Sequence, residues 1–269
     1  MKNKIIFLHI PRTGGTTFRD ILDRLYHSNN VVEIKNFIDS EKIMKSIPKN
    51  EQSKIQLIKG HLNFGIHQWI EGPYKYITFL RHPLNRIIST FKYVKNNIKH
   101  PDHKSIQSMS MIEYFDSRKN ILIDNGITRL LLGNNYDFNI PFGNIKEKHY
   151  KMALDNLKNN FLVAGITERF NESILILANE LNWKSPYYSI ANKSKNTNEL
   201  IKTNIDDQII KYYSYDLKLY NYVDQKLNQK IDSIPNFDSK LKHFNVANYL
   251  FGRFMIDLRI KRMLKRIIS

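Results

Sequence analysis

The sequence predicts an α/β fold, a central parallel sheet flanked by helices, with a helical C-terminal half. Three observations carry that prediction. Short apolar runs alternate with helix-period segments over roughly the first hundred residues. The first of these runs leads through a pair of glycines into a helix. From about Ser105 the pattern is helical, interrupted by one further apolar run.

Residues 4–10 read as a strand, since Ile5-Ile6-Phe7-Leu8 is apolar at every position, as a strand covered on both faces requires. A helix is expected at 16–26, a short strand at 31–34 and a helix at 38–45. Strands at 54–59 and 75–80 and a helix at 83–99, with Pro83 suited to a first helical turn, continue the alternation. The later apolar run, 161–165, predicts one more buried strand, followed by a helix at 168–181. In 204–226, Ile205, Ile209, Tyr212, Tyr213, Leu219, Tyr220 and Val223, with Leu227 just beyond, recur at spacings near three and four, the mark of one buried helical face. Residues 185–198 are rich in Ser, Asn and Lys and read as a loop, with Asn192, Lys193 and Lys195 either closing over a ligand or lying on the surface. Residues 240–269 read as a basic amphipathic helix. No repeat or linker divides the chain, so we read a domain over 1–230 and a basic helical extension over 231–269, packed on it or projecting from it.

The chain has 269 residues, 42% of them hydrophobic and 12% aromatic, which argues for a folded globule over a disordered chain. Its 42 Lys and Arg against 25 Asp and Glu give a net charge of +17, which favours anionic partners without ranking them. There is no cysteine, so disulfides and thiolate metal sites are excluded. The opening apolar run is too short for a signal peptide, and no stretch of about 18 apolar residues occurs. The expected location is the cytoplasm. The basic tail is read as a solvated or partner-facing helix, with peripheral contact to an anionic membrane as a second reading; no nucleic acid is expected.

The first turn carries the chemistry. Strand, glycine turn and helix place unpaired backbone N–H groups and a positive dipole end at one point, which binds phosphate. Gly14 and Gly15 permit close approach, Thr13, Thr16 and Thr17 add hydroxyls, and Arg12 adds charge. A nucleoside-triphosphate loop reads G-x-x-x-x-G-K-[ST], whereas here the glycines are adjacent and the cation precedes them. The strand at 75–80 ends in Arg81-His82, not in the acid that anchors magnesium in a kinase. A second strand, turn and helix therefore carries a second cation, with Ser89 two turns into its helix. Two cradles fit a nucleoside phosphorylated at two separate places.

These residues resemble the sulfotransferases that use 3′-phosphoadenosine 5′-phosphosulfate, in particular the branch acting on carbohydrate hydroxyls. His9-Ile10-Pro11-Arg12-Thr13-Gly14-Gly15-Thr16-Thr17-Phe18 is similar to that family's H-[IV]-P-K-T-G-G-[TS]-[ST]-F, with Arg12 where the family has Lys. Leu80-Arg81-His82-Pro83, with Arg86 and Ser89, is similar to its L-R-[DH]-P-x-x-R-x-x-S. Gly60-His61, Asn125 to Gly133 and Gly165 to Ser173 resemble three further segments in the right order. The resemblance implies a P-loop-like sulfotransferase fold and transfer of a sulfuryl group from that donor to a hydroxyl, of a carbohydrate in the first instance.

It also implies roles. Arg12, Thr13, Gly14, Gly15, Thr16 and Thr17 would hold the 5′-phosphosulfate, with Arg12 meeting the departing phosphate. Arg81 and Ser89 would hold the 3′-phosphate, and His61 would be the general base, with His67 as a spare; no metal is required. Arg forks to two oxygens where Lys is a point charge, so the exchange at Arg12 is not conservative in detail. Arg129 is read either as a binding residue or as one solvating a helix face, and Glu168 as an acid favoured near a helix start. Two other classes share these features, a non-catalytic polyanion-binding protein and a P-loop nucleotide kinase, against which the missing GK[ST] argues.

Overall fold

The structure, a computed structural model, describes residues 3–37, 39–133, 139–189 and 209–268, the last thirteen of these by backbone alone. Five strands, β1 (Lys4–Leu8), β2 (Val31–Ile34), β3 (Leu57–Gly60), β4 (Tyr74–Leu80) and β5 (Phe161–Ile166), form one sheet in the order β2-β3-β1-β4-β5. All pairings are parallel. The helices are α1 (Gly15–Leu25), α2 (Ser40–Ser46), α3 (Lys49–Gln52), α4 (Pro83–Asn96), α5 (His103–Ile106), α6 (Met111–Asp116), α7 (Gly126–Leu132), α8 (Glu147–Asn160) and α9 (Phe170–Leu181). Two longer helices follow, Ser214–Ser233 and Phe237–Ile268.

The sheet is α/β as expected, and its order positions everything else. β1 is central, and the chain passes from β3 on one side of it to β4 on the other. The carboxyl end of β1 is therefore a switch point, where open parallel sheets leave a crevice. Every residue of β1 is buried, because helices cover both faces. Phe18 of α1 sits with its ring centroid 4.7 Å from those of both Phe7 and Phe79, so burial of this one side chain, worth about 2–3 kcal/mol, pins α1 over β1 and β4.

Element boundaries differ from expectation where local turns intervene. β3 starts at Leu57, since Lys54 and Ile55 donate their N–H groups back to Glu51 and Gln52 and so close the turn after α3. α1 starts at Gly15, one residue early, and α4 stops at Asn96 because Asn97 is extended. Thr167–Arg169 is a separate 3₁₀ turn before α9. The helix expected at 204–226 runs instead over Ser214–Ser233, behind a 3₁₀ turn at Ile210–Tyr212; residues 204–208 lie outside the described residues, as do Asn192, Lys193, Lys195 and Ile38. The last helix, Phe237–Ile268, buries Phe237 and Phe244 in the main core.

A buried polar centre ties the helical half to α4, the helix that follows β4. Asp216 has no exposure; it accepts the N–H groups of Ile127 (3.0 Å) and Thr128 (2.8 Å) at the start of α7, and the Thr128 hydroxyl (2.9 Å). Arg86 of α4, also buried, lies 3.5 Å from it and donates to Leu122 O. Burial pushes the Asp216 carboxyl up, and Arg86 with the α7 N–H groups counters this. Removing one partner leaves the other charge buried and unpaired. Asp216→Ala is therefore expected to lower unfolding free energy by about 3–5 kcal/mol in urea titrations, and replacing Asp216 and Arg86 together by apolar residues should cost less than that.

Candidate functional site

The carboxyl ends of β1, β3, β4 and β5 bring the predicted residues together. In the first loop Arg12 and Gly14 have left-handed backbone, φ 70° and 80°, so the chain turns sharply into α1. Arg12 adopts that conformation without glycine's freedom, a strain of order 1–3 kcal/mol of the kind that accumulates at functional sites. The α1 N-terminus has no side-chain cap and no acid in its first turn, leaving the N–H groups of Gly15, Thr16 and Thr17 as a positive dipole end. Thr16 is exposed and Thr17 half-buried. Thr13 departs from the expectation of a ligand-facing hydroxyl: it is fully buried and donates to Ile10 O at 2.7 Å, so its hydroxyl shapes the turn.

The second loop converges on the first. Arg12 Nε donates to Ser89 Oγ at 3.0 Å, and the Arg12 guanidinium lies 4.8 Å from the ring centroid of Tyr93, one turn further along α4. Arg81 donates from Nη1 to Arg12 O at 3.3 Å. Burial, and then the Arg81 charge, disfavour the ionised form of Arg12; burial disfavours that of Arg81, which Glu168 partly restores. Two guanidinium groups are thus held close enough to repel one another.

Two side chains hold this arrangement: Thr167, to which the sequence assigned no role, and Glu168, read there as an acid near a helix start. Thr167 donates its single hydroxyl proton between Thr13 O (2.8 Å) and Leu80 O (2.9 Å), clamping the two loops together from the 3₁₀ turn after β5. Glu168 accepts the His82 N–H at 3.1 Å and lies 3.9 Å from Arg81, so its carboxylate serves the start of α4 and not the helix that follows it in sequence. Tyr93 carried a readable signal, since a residue four after Ser89 shares its helix face. Arg129 neither binds at the surface nor solvates a face: it is fully buried, ion-paired with Asp124, and donates to Ile140 O at 2.6 Å.

Histidines form the third part. Register places Leu8 opposite Gly60, so the residues that follow, His9 and His61, stack with ring centroids 4.6 Å apart. Gly60 has φ 135°, and a Cβ there would lie 1.9 Å from Ile34 O, so only glycine lets the chain enter His61 along this path. Burial, then the charge on His61, pushes His9 down to about 3; burial chiefly lowers His61 as well. Both Nδ1 atoms are buried and unpartnered, and both rings are neutral at pH 7. His67 lies elsewhere: it stacks on Tyr74 and its Nδ1 is 3.0 Å from Tyr76 Oη. A groove of about 910 Å³ lined by Tyr26, Ile55, Leu162 and Trp183 opens at the amino ends of the strands, away from both loops.

His9 also explains Gly15, where a Cβ would fall 1.8 Å from His9 Nε2. Gly15→Ala is expected to displace the His9 ring and destabilise the fold, read as a lowered urea midpoint together with loss of the His9–His61 stack in histidine NMR shifts. His9 titrates near 6.5 unfolded and near 3 folded, so the unfolded chain binds more protons between those values. Its contribution to stability is complete above pH 6.5 and falls by about 1.4 kcal/mol per pH unit below it. A His9→Gln variant should therefore show a shallower loss of stability between pH 6.5 and 4 than the parent.

No curated protein matches the chain. Among solved structures, the crystal structure of mouse sulfotransferase SULT7A1 complexed with PAP matches over 91% of this chain and 89% of that one, at 16% identity and a TM-score of 0.42. Residues 1–128, which carry β1 to β4, both loops and the histidine pair, match the family model described as the Sulfotransferase family.

Proposed function

We propose that this protein moves a sulfuryl group from 3′-phosphoadenosine 5′-phosphosulfate to a hydroxyl, with a carbohydrate as the acceptor class. The observation that carries the reading is the pair of guanidinium groups, Arg12 and Arg81, joined at 3.3 Å through the Arg12 carbonyl beside an uncapped helix N-terminus. Adjacent like charges with no acid in the first turn of α1 call for an anion, and the two loops offer two stations. One is the set of N–H groups from Gly15 to Thr17; the other is Arg81 with Ser89. A nucleoside carrying phosphates at both its 5′ and 3′ positions matches that division, and the family match of residues 1–128 supports it.

Bound there, the donor supplies an activated sulfuryl group whose departure leaves a phosphate. The protein's task is positioning and charge stabilisation. The α1 N–H groups and Arg12 act on the leaving side. The Ser89 bond engages Arg12 through Nε, so the two terminal nitrogens are free of it and present a fork. Ser89 thereby couples the two stations, and Tyr93 supports the guanidinium from below. His61, neutral at pH 7 and beside the same strand end, takes the proton of the acceptor hydroxyl at a ring nitrogen.

Calorimetry with 3′-phosphoadenosine 5′-phosphate should show binding, and Arg81→Ala should weaken it roughly 10- to 100-fold while affecting adenosine 5′-phosphate far less. No binding, or unchanged affinity in the variant, sinks the reading. Label transfer from radiolabelled donor to a panel of glycans gives the acceptor. With an active acceptor, His61→Ala should lower kcat roughly 10²- to 10⁴-fold with nucleotide affinity intact. Since the His61 pKa is depressed and its neutral form is the active one, the parent's kcat should hold as pH falls to 6.5 and decline only below it.

A further inference from the structure

We infer that the outer face of the last helix, Phe237–Ile268, docks on an anionic lipid surface. The inward face is accounted for. Phe237, Leu241, Phe244, Asn248 and Phe251 follow one another at spacings of four and three; Phe237 and Phe244 are buried, and Asn248 Oδ1 accepts the Tyr188 N–H at 2.7 Å. Phe251 meets Tyr187 and the Arg24 guanidinium.

On the opposite face, at 100° per residue, lie Val246, Tyr249, Leu250 and Phe254, with exposures of 61%, 63%, 59% and 59%. The other strongly exposed large apolar side chains among the described residues, Tyr93, Ile98, Met152 and Ile210, are scattered singly, as is ordinary. Four within nine residues on one helix face form a patch that calls for a partner.

Charge selects that partner. Lys240 and Lys242 precede the stripe in sequence, Arg253 lies within it with its guanidinium 5.9 Å from the Tyr249 ring centroid, and Arg259, Lys261, Arg262, Lys265 and Arg266 follow it, while Asp257 is the one acid from 239 to 269. A second copy would bring two such segments together on chains of net charge +17 each, which repel. Anionic headgroups satisfy the cations, and the boundary between headgroups and acyl chains takes up tyrosine, phenylalanine and aliphatic side chains together. The helix lies on the surface in this arrangement; among the described residues no helix is long and apolar enough to cross a membrane. The inference stands independently of the proposed activity.

The test is co-sedimentation of the full chain with vesicles of phosphatidylcholine alone or with added phosphatidylglycerol, beside a Leu250→Ser, Phe254→Ser double variant. Both side chains are exposed, so the variant should keep the parent's circular dichroism and urea midpoint. The parent is expected to bind the anionic vesicles and not the neutral ones, and the variant to bind them roughly tenfold or more weakly. Three results overturn the inference: no binding by the parent, undiminished binding by the variant, which places the contact on the general basic surface, or a dimer in sedimentation equilibrium that the same substitutions dissociate, which assigns the stripe to a second copy.

Discussion

The site depends on one constraint, the hydrogen-bonded position of β1 between β3 and β4. Leu8 is opposite Gly60 on one side and Thr78 on the other. That double register fixes where three chain ends emerge. His9 and His61 stack because their strands end level, and Arg81 reaches the first loop because β4 runs two residues beyond Thr78. A slip of one residue in either pairing would send these side chains to the opposite face. The Thr78 hydroxyl, buried and bonded to Leu8 O at 2.8 Å, locks the pairing with β4 from within the sheet.

Around that frame the molecule concentrates positive charge and withholds counter-charge. Buried ion pairs do occur, Arg86 with Asp216 and Arg129 with Asp124, but they involve neither Arg12 nor Arg81 and tie α4 and α7 into place. The cations of the two loops are treated differently. Arg12 bonds to a serine hydroxyl and an aromatic face, and Arg81 shares Glu168 with the backbone of His82. A carboxylate that also caps a helix start neutralises less of the arginine beside it. The electrostatic surplus is thus local and specific, which the net charge by itself does not convey.

Much of the fold was legible in the sequence because burial is written in period. β1, β2, β4 and β5 fall close to the segments that predicted them, and β1, buried at every position, is the clearest case of a strand covered on both faces that reads as a continuous hydrophobic stretch. The boundaries that moved did so at turns closed by backbone bonds, such as the one after α3, which leave little trace in hydrophobic pattern. Arg129 misled for a related reason: a fully buried arginine looks in sequence like any other on a helix, and its partner Asp124 precedes the helix that carries it.

By itself the sequence determined the α/β class, the two strand-turn-helix loops and the residue types that make them attractive to anions, because those are local properties of short segments. Only the tertiary structure decided which of those residues meet. Arg12 and Ser89 are 77 residues apart, and Arg86 and Asp216 are 130 apart. Thr13 proved to be a turn-forming hydroxyl, and Thr167, itself assigned no role, proved to be the clamp between the loops. The reason is physical: helix and strand periodicities report which face of an element is buried, whereas the partner across that face depends on strand order and register, which no single segment contains.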